Sequence, residues 1–224
     1  MEDINYEKAV KLLETLQSRY PYGRYAQQAL MEIAYANYKL AEPDAALSAT
    51  DRFIKQFPNS PNLDYVYYLK GLVNFNDNTG FLSRISRQDP AERDPQTLRD
   101  SFDSFRELVT RFPDSRYAED ARLRMQFLIN TLSRSDIQVA SYYLRRGAYI
   151  AAINRANHVL KEYPQTIQTR DALQIMVWSY NAMGQNDLRD DAQRVLDLNI
   201  AKDGIKPTIE NMRDRGGSWW QFWM

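Results

Sequence analysis

Hydrophobic residues recur at helical spacing along most of the chain. The first run places Tyr6, Ala9 and Val10 three and four residues apart, on one face of a helix. The same spacing returns in the later runs, so the sequence predicts an all-α fold. The predicted helices cover about residues 6–19, 24–40, 43–57, 63–75, 95–112, 117–146, 149–163, 169–183 and 187–200.

Four of these helices end at the same signal, an aromatic residue followed by proline. Proline has no N–H to donate and biases the residue before it away from helical geometry, so a helix stops there. A small residue lies twelve positions before each proline, where it lets two helices approach closely. This spacing is that of the second half of a tetratricopeptide repeat, whose period is about 34 residues. The signals are Tyr20-Pro21, Phe57-Pro58, Phe112-Pro113 and Tyr163-Pro164, and the small residues are Ala9, Ala46, Ser101 and Ala152.

The repeat register predicts a tetratricopeptide solenoid of about five helical hairpins. The chain enters this register at a turn between two helices, so we expect the first hairpin to be truncated. Residues 76–94 interrupt the spacing, as functional or mobile loops do. Residues 117–146 fit one long helix with a bend near residues 133–136, or two abutting helices. We therefore divide the chain into N-terminal repeats (1–112), C-terminal repeats (113–203) and a tail (204–224) that we expect to be poorly ordered.

Composition narrows the function without defining it. Hydrophobic residues make up 44% and charged residues 26% of the 224 residues, as in ordinary globular proteins. The formal net charge is zero, so no bulk field attracts nucleic acid or an anionic membrane. The chain contains no cysteine, which excludes disulfides and thiolate chemistry. No apolar run approaches the roughly 18 residues of a membrane span.

The residues offer no catalytic or metal-binding constellation and suggest no cofactor. His158 is the only histidine, and one histidine without cysteine cannot build a zinc site. Helical repeats instead form extended surfaces that bind segments of other proteins. Tyrosines outside the core stripe are candidate groove residues, with core packing as the alternative for each. They are Tyr20, Tyr22, Tyr25, Tyr65, Tyr67 and Tyr68.

The tail carries a cluster of aromatic residues, Trp219-Trp220-Gln221-Phe222-Trp223. Such a segment suits a groove on a partner or a membrane interface. A disordered end is the alternative.

Several stretches carry a more specific pattern than the repeat itself. They are Arg19-Tyr20-Pro21-Tyr22-Gly23, Asp51-Arg52-Phe53-Ile54, Pro61-Asn62-Leu63-Asp64-Tyr65-Val66-Tyr67-Tyr68, Arg93-Asp94-Pro95-Gln96, and residues 142–155 from Tyr142-Tyr143-Leu144-Arg145-Arg146-Gly147 to Asn154-Arg155. Over about residues 4–200 the chain resembles the BamD family, the tetratricopeptide lipoproteins of the bacterial outer-membrane protein assembly machine. The resemblance does not extend into the tail after Asp203.

This resemblance implies a non-enzymatic scaffold on the periplasmic face of the outer membrane, anchored by a lipid on an N-terminal cysteine that this chain lacks. It implies that the C-terminal repeats dock the last POTRA domain of the barrel protein BamA. Arg155 would pair with an acid of BamA, beside Arg146, Tyr149 and Asn154. BamC and BamE would be further partners.

The resemblance also implies a role for the N-terminal repeats. Their groove would receive the C-terminal targeting signal of unfolded outer-membrane proteins, which is apolar and ends in an aromatic residue. The alternative is a generic tetratricopeptide adaptor that binds peptide segments of another client. A lipidated cysteine in the full-length N-terminus would favour the assembly role.

Overall fold

The computed structural model describes residues 5–23, 25–76 and 95–209. Within these ranges the chain is helical and has no strand, which confirms the predicted all-α fold of the tetratricopeptide type. The described helices are α1 (Tyr6–Arg19), α2 (Ala26–Lys39), α3 (Pro43–Gln56), α4 (Leu63–Asn76), α5 (Pro95–Arg111), α6 (Ala118–Arg145), α7 (Tyr149–Glu162), α8 (Gln168–Ala182) and α9 (Asn186–Asp203). Their limits lie close to the predicted ones, and α1 matches its predicted range.

Each aromatic–proline signal closes its helix with the same pair of backbone hydrogen bonds. The N–H of the aromatic residue donates to the carbonyl four residues before it, at 2.8–2.9 Å. Its own carbonyl accepts the N–H of the third residue after it, at 3.0–3.1 Å. The aromatic side chains differ in burial. Tyr163 is buried, Phe57 and Phe112 are half-buried, and Tyr20 is exposed because α1 has no fully buried face.

The small residues of the repeat lie where helices meet. Ala46, Ser101 and Ala152 are fully buried. Between α4 and α5 the approach is especially tight, because the Ser101 hydroxyl donates to the Gly71 carbonyl at 2.9 Å. A Cβ atom on Gly71 would lie 2.5–2.8 Å from three atoms of the buried Phe105 ring. Gly71 therefore makes room for α5.

The chain forms two compact units, Met1–Leu128 and Ile129–Met224. In unit 1 each of the helices α1 to α4 packs against the next helix along the chain, and the last of these contacts joins α4 to α5. In unit 2, α7 packs against α8 and α8 against α9. The predicted division after residue 112 followed the repeat register, whereas the compact units meet inside α6.

Residues Ala118–Arg145 form one continuous helix, the first of the two predicted alternatives. Near residues 133–136 the helical spacing of the apolar residues in α6 slips by one position, and polar side chains are buried there. The Ser133 hydroxyl contacts the Gln168 side-chain oxygen of α8 at 3.1 Å, and Asp136 contacts α7. The shift in apolar spacing therefore coincides with the positions where side chains of α6 contact α7 and α8.

Residues 204–209, here called the C-terminal strap, fold back onto α8. Gly204 ends α9 with a φ of 73°, a left-handed conformation that glycine adopts readily. Pro207 and Ile209 are buried. The start of the tail therefore differs from the expectation of poor order. The aromatic cluster and residues 77–94 of the predicted loop lie outside the described residues.

Candidate functional site

A groove in unit 1 is the first candidate site. It has a volume of about 510 Å³ and is formed by α2, the start of α4 and the turns that precede α4 and α6. We call it the tyrosine groove, because three tyrosines line it. Its lining residues are Met31, Glu32, Tyr35, Pro61, Asn62, Asp64, Tyr65, Arg116 and Tyr117.

The tyrosine groove has a fixed aromatic wall. The ring of Tyr117 lies 5.7 Å from that of Tyr65 and is stacked at 4.8 Å on that of Tyr68. The hydroxyl of Tyr68 donates to Asp120 at 2.6 Å, and Arg124 donates to the same carboxylate oxygen at 2.5 Å. Tyr68 thus supports the wall from behind.

Hydrogen bonds also position the rim of the groove. The hydroxyl of Ser115 donates to Asp64 at 2.7 Å and accepts the backbone N–H of Tyr117 at 3.2 Å. The remaining oxygen of Asp64 accepts the N–H of Tyr65 at 2.7 Å. One serine therefore joins the turn before α6 to the start of α4.

The groove contains one cation among its lining residues. The guanidinium of Arg116 lies 4.8 Å from the centre of the Tyr117 ring and 2.5 Å from its hydroxyl. Burial, followed by the fields of Tyr35, Tyr117 and Glu32, raises the pKa of Tyr65 well above its ordinary value. Tyr65 is therefore a neutral hydroxyl at physiological pH, and Arg116 supplies the positive charge.

The structure separates the predicted groove tyrosines. Tyr65 lines the groove, and Tyr68 lies one layer behind it. Tyr20, Tyr22 and Tyr25 are exposed in the turn between α1 and α2, here called the first elbow, and are not among the lining residues. Tyr22 is 99% exposed. Sequence reasoning missed the contributions of Arg116 and Tyr117, which no local pattern connects to Tyr65.

A charged cluster in unit 2 is the second candidate site. Asp136 of α6 is buried and accepts Nη1 of Arg155 at 3.2 Å on one oxygen. Its other oxygen lies 3.0 Å from Nδ1 of His158. The side chain of Arg155 is 46% exposed, so its guanidinium is fixed at one edge and open to solvent elsewhere. We call Asp136, Arg155 and His158 the shared-carboxylate cluster.

The other residues expected to dock a partner lie at two places in unit 2. Arg146 and Tyr149 flank the turn from α6 to α7, and the Arg146 guanidinium lies 5.5 Å from the centre of the Tyr142 ring. Asn154 is exposed beside Arg155 in the middle of α7. Tyr149 lines a separate pocket with Trp178 of α8.

Neither site contains a set of residues that would hold a metal. In the described part of the chain, no three His, Asp or Glu side chains are grouped for that purpose. None of the described helices is long and apolar enough to cross a bilayer. Paired helices, with an open aromatic groove in unit 1 and an exposed, oriented arginine in unit 2, define a helical-repeat protein of the tetratricopeptide type.

Comparison with known proteins identifies the family. The profile of the YfiO family, described as "Outer membrane lipoprotein", matches residues 1–195. The chain therefore belongs to this family of outer membrane lipoproteins, which confirms the resemblance noted in the sequence.

Several relatives share the name outer membrane protein assembly factor BamD. The protein of Neisseria meningitidis serogroup B (strain MC58) is 43% identical over 220 residues, which cover 98% of this chain and 81% of the relative. That of Xylella fastidiosa (strain 9a5c) is 39% identical over 199 residues, 89% of this chain and 68% of the relative. That of Vibrio cholerae serotype O1 is 37% identical over 191 residues, 85% of this chain and 79% of the relative.

Proposed function

We propose that the protein is a non-enzymatic scaffold for the assembly of outer-membrane β-barrel proteins. Unit 1 binds the C-terminal targeting signal of the unfolded client, and unit 2 docks BamA. The tyrosine groove is the observation that carries this proposal. The relatives' name, assembly factor, supports the same role.

The chemistry of the tyrosine groove matches that of the signal. An aromatic side chain at the end of a client packs well against the rings of Tyr65 and Tyr117, since offset aromatic pairs are favourable. The α-carboxylate that ends the client is an anion, and the guanidinium of Arg116 can bind it through two parallel hydrogen bonds. A groove with both features selects a C-terminal aromatic residue over an internal one.

A peptide titration tests the client site. A short peptide ending in phenylalanine is measured as the free acid and as the C-terminal amide. Arg116→Gln should weaken binding of the acid about fivefold, since an exposed ion pair contributes about 1 kcal/mol, and leave the amide unchanged. Arg106→Gln, which alters an exposed arginine on α5, is the matched control. Equal losses for acid and amide would show that Arg116 does not read the carboxylate.

A second pair of variants tests the aromatic wall. Tyr117→Ala removes the ring that joins Tyr65 to Tyr68, and Tyr22→Ala removes a fully exposed ring at the first elbow. Tyr117→Ala should weaken binding of both peptide forms, whereas Tyr22→Ala should not. A loss confined to Tyr22→Ala would move the client site to the first elbow.

The shared-carboxylate cluster supports the docking of BamA. Arginine has five N–H donors in a fixed fork, and Asp136 engages the guanidinium of Arg155 at one edge. The exposed remainder can bind an acid on the last POTRA domain without first losing its own side-chain freedom. Arg146, Tyr149 and Asn154 extend the docking face along the α6–α7 hairpin.

Binding to the last POTRA domain tests the docking face. Arg155→Ala should weaken it by about thirtyfold or more, since breaking a desolvated charge pair costs about 2 kcal/mol or more. Arg194→Ala, at an exposed ion pair on α9, should leave it unchanged. Unchanged binding by Arg155→Ala would contradict the assignment.

The same proposal places the protein on the periplasmic face of the outer membrane, anchored by an N-terminal lipid. The family description as outer membrane lipoproteins supports this location. BamC and BamE are the further partners that we propose. Co-purification of both with the lipidated protein tests these assignments.

A further inference from the structure

Unit 2 contains an apolar pocket that neither proposed binding role uses fully. It has a volume of about 360 Å³ and lies between the end of α6, the start of α7 and the end of α8. Apolar and aromatic side chains form its floor, and Ser141, Arg145 and Asn181 supply polar groups. We call it the Trp178 pocket. Its other lining residues are Leu144, Tyr149, Trp178, Ala182 and Ile209.

The C-terminal strap forms one wall of the Trp178 pocket. Buried Asp171 of α8 accepts the backbone N–H of Thr208 at 2.6 Å and its hydroxyl at 2.7 Å. The N–H of Ile209 donates to the same carboxylate at 3.3 Å. Arg170 also pairs with Asp203 at the end of α9. These contacts fix the chain so that Ile209 is both a pocket wall and the residue from which the tail continues.

The tail has the chemistry of a ligand for this pocket. Residues 210–218 are mostly polar and end in Gly216-Gly217-Ser218, and the aromatic cluster of residues 219–223 follows. Nine residues separate Ile209 from Trp219, and the ten Cα-to-Cα steps between those two residues span at most about 36 Å. The aromatic cluster is therefore always within reach of the pocket, and the glycines permit the chain to reverse its direction.

We propose that the aromatic cluster of the tail docks in the Trp178 pocket of its own chain. Trp178 and Leu144 offer an apolar surface for an indole ring, and the Arg145 guanidinium can lie over its face. The hydroxyl oxygen of Ser141 is an acceptor for the indole N–H, which needs a partner when it is buried. Tyr149 is shared with the proposed docking face, so the docked tail covers part of that face.

The tether favours docking within one chain over docking between two copies. A short tether gives the second group an effective concentration on the order of millimolar. Protein concentrations in the micromolar range are far lower, so a weak aromatic contact suffices within the chain.

Disulfide trapping tests this proposal directly, because the chain has no cysteine of its own. Gln221→Cys keeps all four aromatic residues of the cluster and is combined with Asn181→Cys on the exposed pocket rim. The control pairs Gln221→Cys with Glu162→Cys, which lies thirteen residues and about 20 Å along α7 from the pocket residue Tyr149. The tail can reach both sites by length. Because the tail starts at the pocket residue Ile209, a version of the tail without its aromatic residues measures how much of the difference comes from proximity alone.

Under mild oxidation at micromolar protein, the 181–221 disulfide should form within the chain at least about tenfold faster than the 162–221 disulfide. Replacing the four aromatic residues by serine should reduce that preference severalfold, to the level that proximity to Ile209 alone produces. Equal rates for the two pairs, bonds only between chains, or a preference that the serine replacements leave undiminished would each overturn the proposal.

Discussion

Replacing Gly71 by alanine tests whether the close approach of α4 and α5 organises unit 1. The new methyl group would lie 2.5–2.8 Å from three atoms of the Phe105 ring, whereas ordinary contacts are longer than 3.4 Å. Phe105 cannot turn away freely, because it is fully buried and its ring lies 5.9 Å from that of Tyr68. Either the ring or the whole of α5 must move by roughly 1 Å.

The expected cost follows from three opposing contributions. Alanine in a helix interior is more favourable than glycine by up to about 1 kcal/mol. Overpacking a filled core costs about 1–3 kcal/mol. Moving α5 away would also stretch the buried hydrogen bond from Ser101 to Gly71, with a loss of about 1 kcal/mol. We therefore expect Gly71→Ala to lower the free energy of unfolding by about 1–3 kcal/mol.

Urea unfolding followed by far-UV circular dichroism measures this change. A double-mutant cycle with Phe105→Leu identifies its cause, because leucine lacks the ring atoms that the methyl group would meet. The double variant should lose about 1 kcal/mol less than the sum of the two single variants. A Gly71→Ala variant as stable as the wild type, or strict additivity in the cycle, would refute the reasoning.

Three further predictions concern charge and hydrogen bonding. Burial raises the pKa of all three tyrosines of α4, so below about pH 10 they are neutral in both the folded and the unfolded chain and do not make stability depend on pH. Above about pH 10 the tyrosines of the unfolded chain ionise first, and the free energy of unfolding falls as pH rises. Replacing them by phenylalanine should therefore move alkaline unfolding, followed by circular dichroism, to higher pH. Asp171→Ala should lower the free energy of unfolding by roughly 2–4 kcal/mol, because it leaves backbone N–H groups of the C-terminal strap without an acceptor. Hydrogen exchange of those amides measures how far the strap detaches from α8, and Asp187→Ala, at an exposed position, is the control. Asp136→Asn keeps the shape of the shared-carboxylate cluster and should cost about 1 kcal/mol, since the arginine is half-exposed; zero coupling with Arg155→Ala in a urea double-mutant cycle would contradict the contact.

Local signals account for how well the helices could be predicted. A proline stops the helix that precedes it through local geometry. Tyr20-Pro21 and the three other aromatic–proline pairs therefore predict helix ends without knowledge of the fold. The strap was harder to predict, because Gly204 and Pro207 are the residues that usually end a structured segment. Its packing depends on Asp171, which lies 37 residues before Thr208.

The candidate sites were less predictable, because each joins residues that are distant in sequence. Tyr65 could be identified as a candidate groove residue from the sequence. Tyr117 lies 52 positions later, in the turn before α6, and its ring meets that of Tyr65 only once the chain has folded. The shared-carboxylate cluster did leave a signal. Asp136 falls where the apolar register of α6 slips, and a buried acid at such a point indicates a partner on a neighbouring helix.

The continuity of α6 has a practical consequence for anyone who wants to study the two units separately. The boundary between Leu128 and Ile129 lies in the middle of a 28-residue helix. A fragment that ends there would carry a new helix end with four carbonyls that lack helical partners. Both fragments should therefore retain the whole of Ala118–Arg145, so that the usable pieces of this protein overlap in sequence instead of meeting at a point.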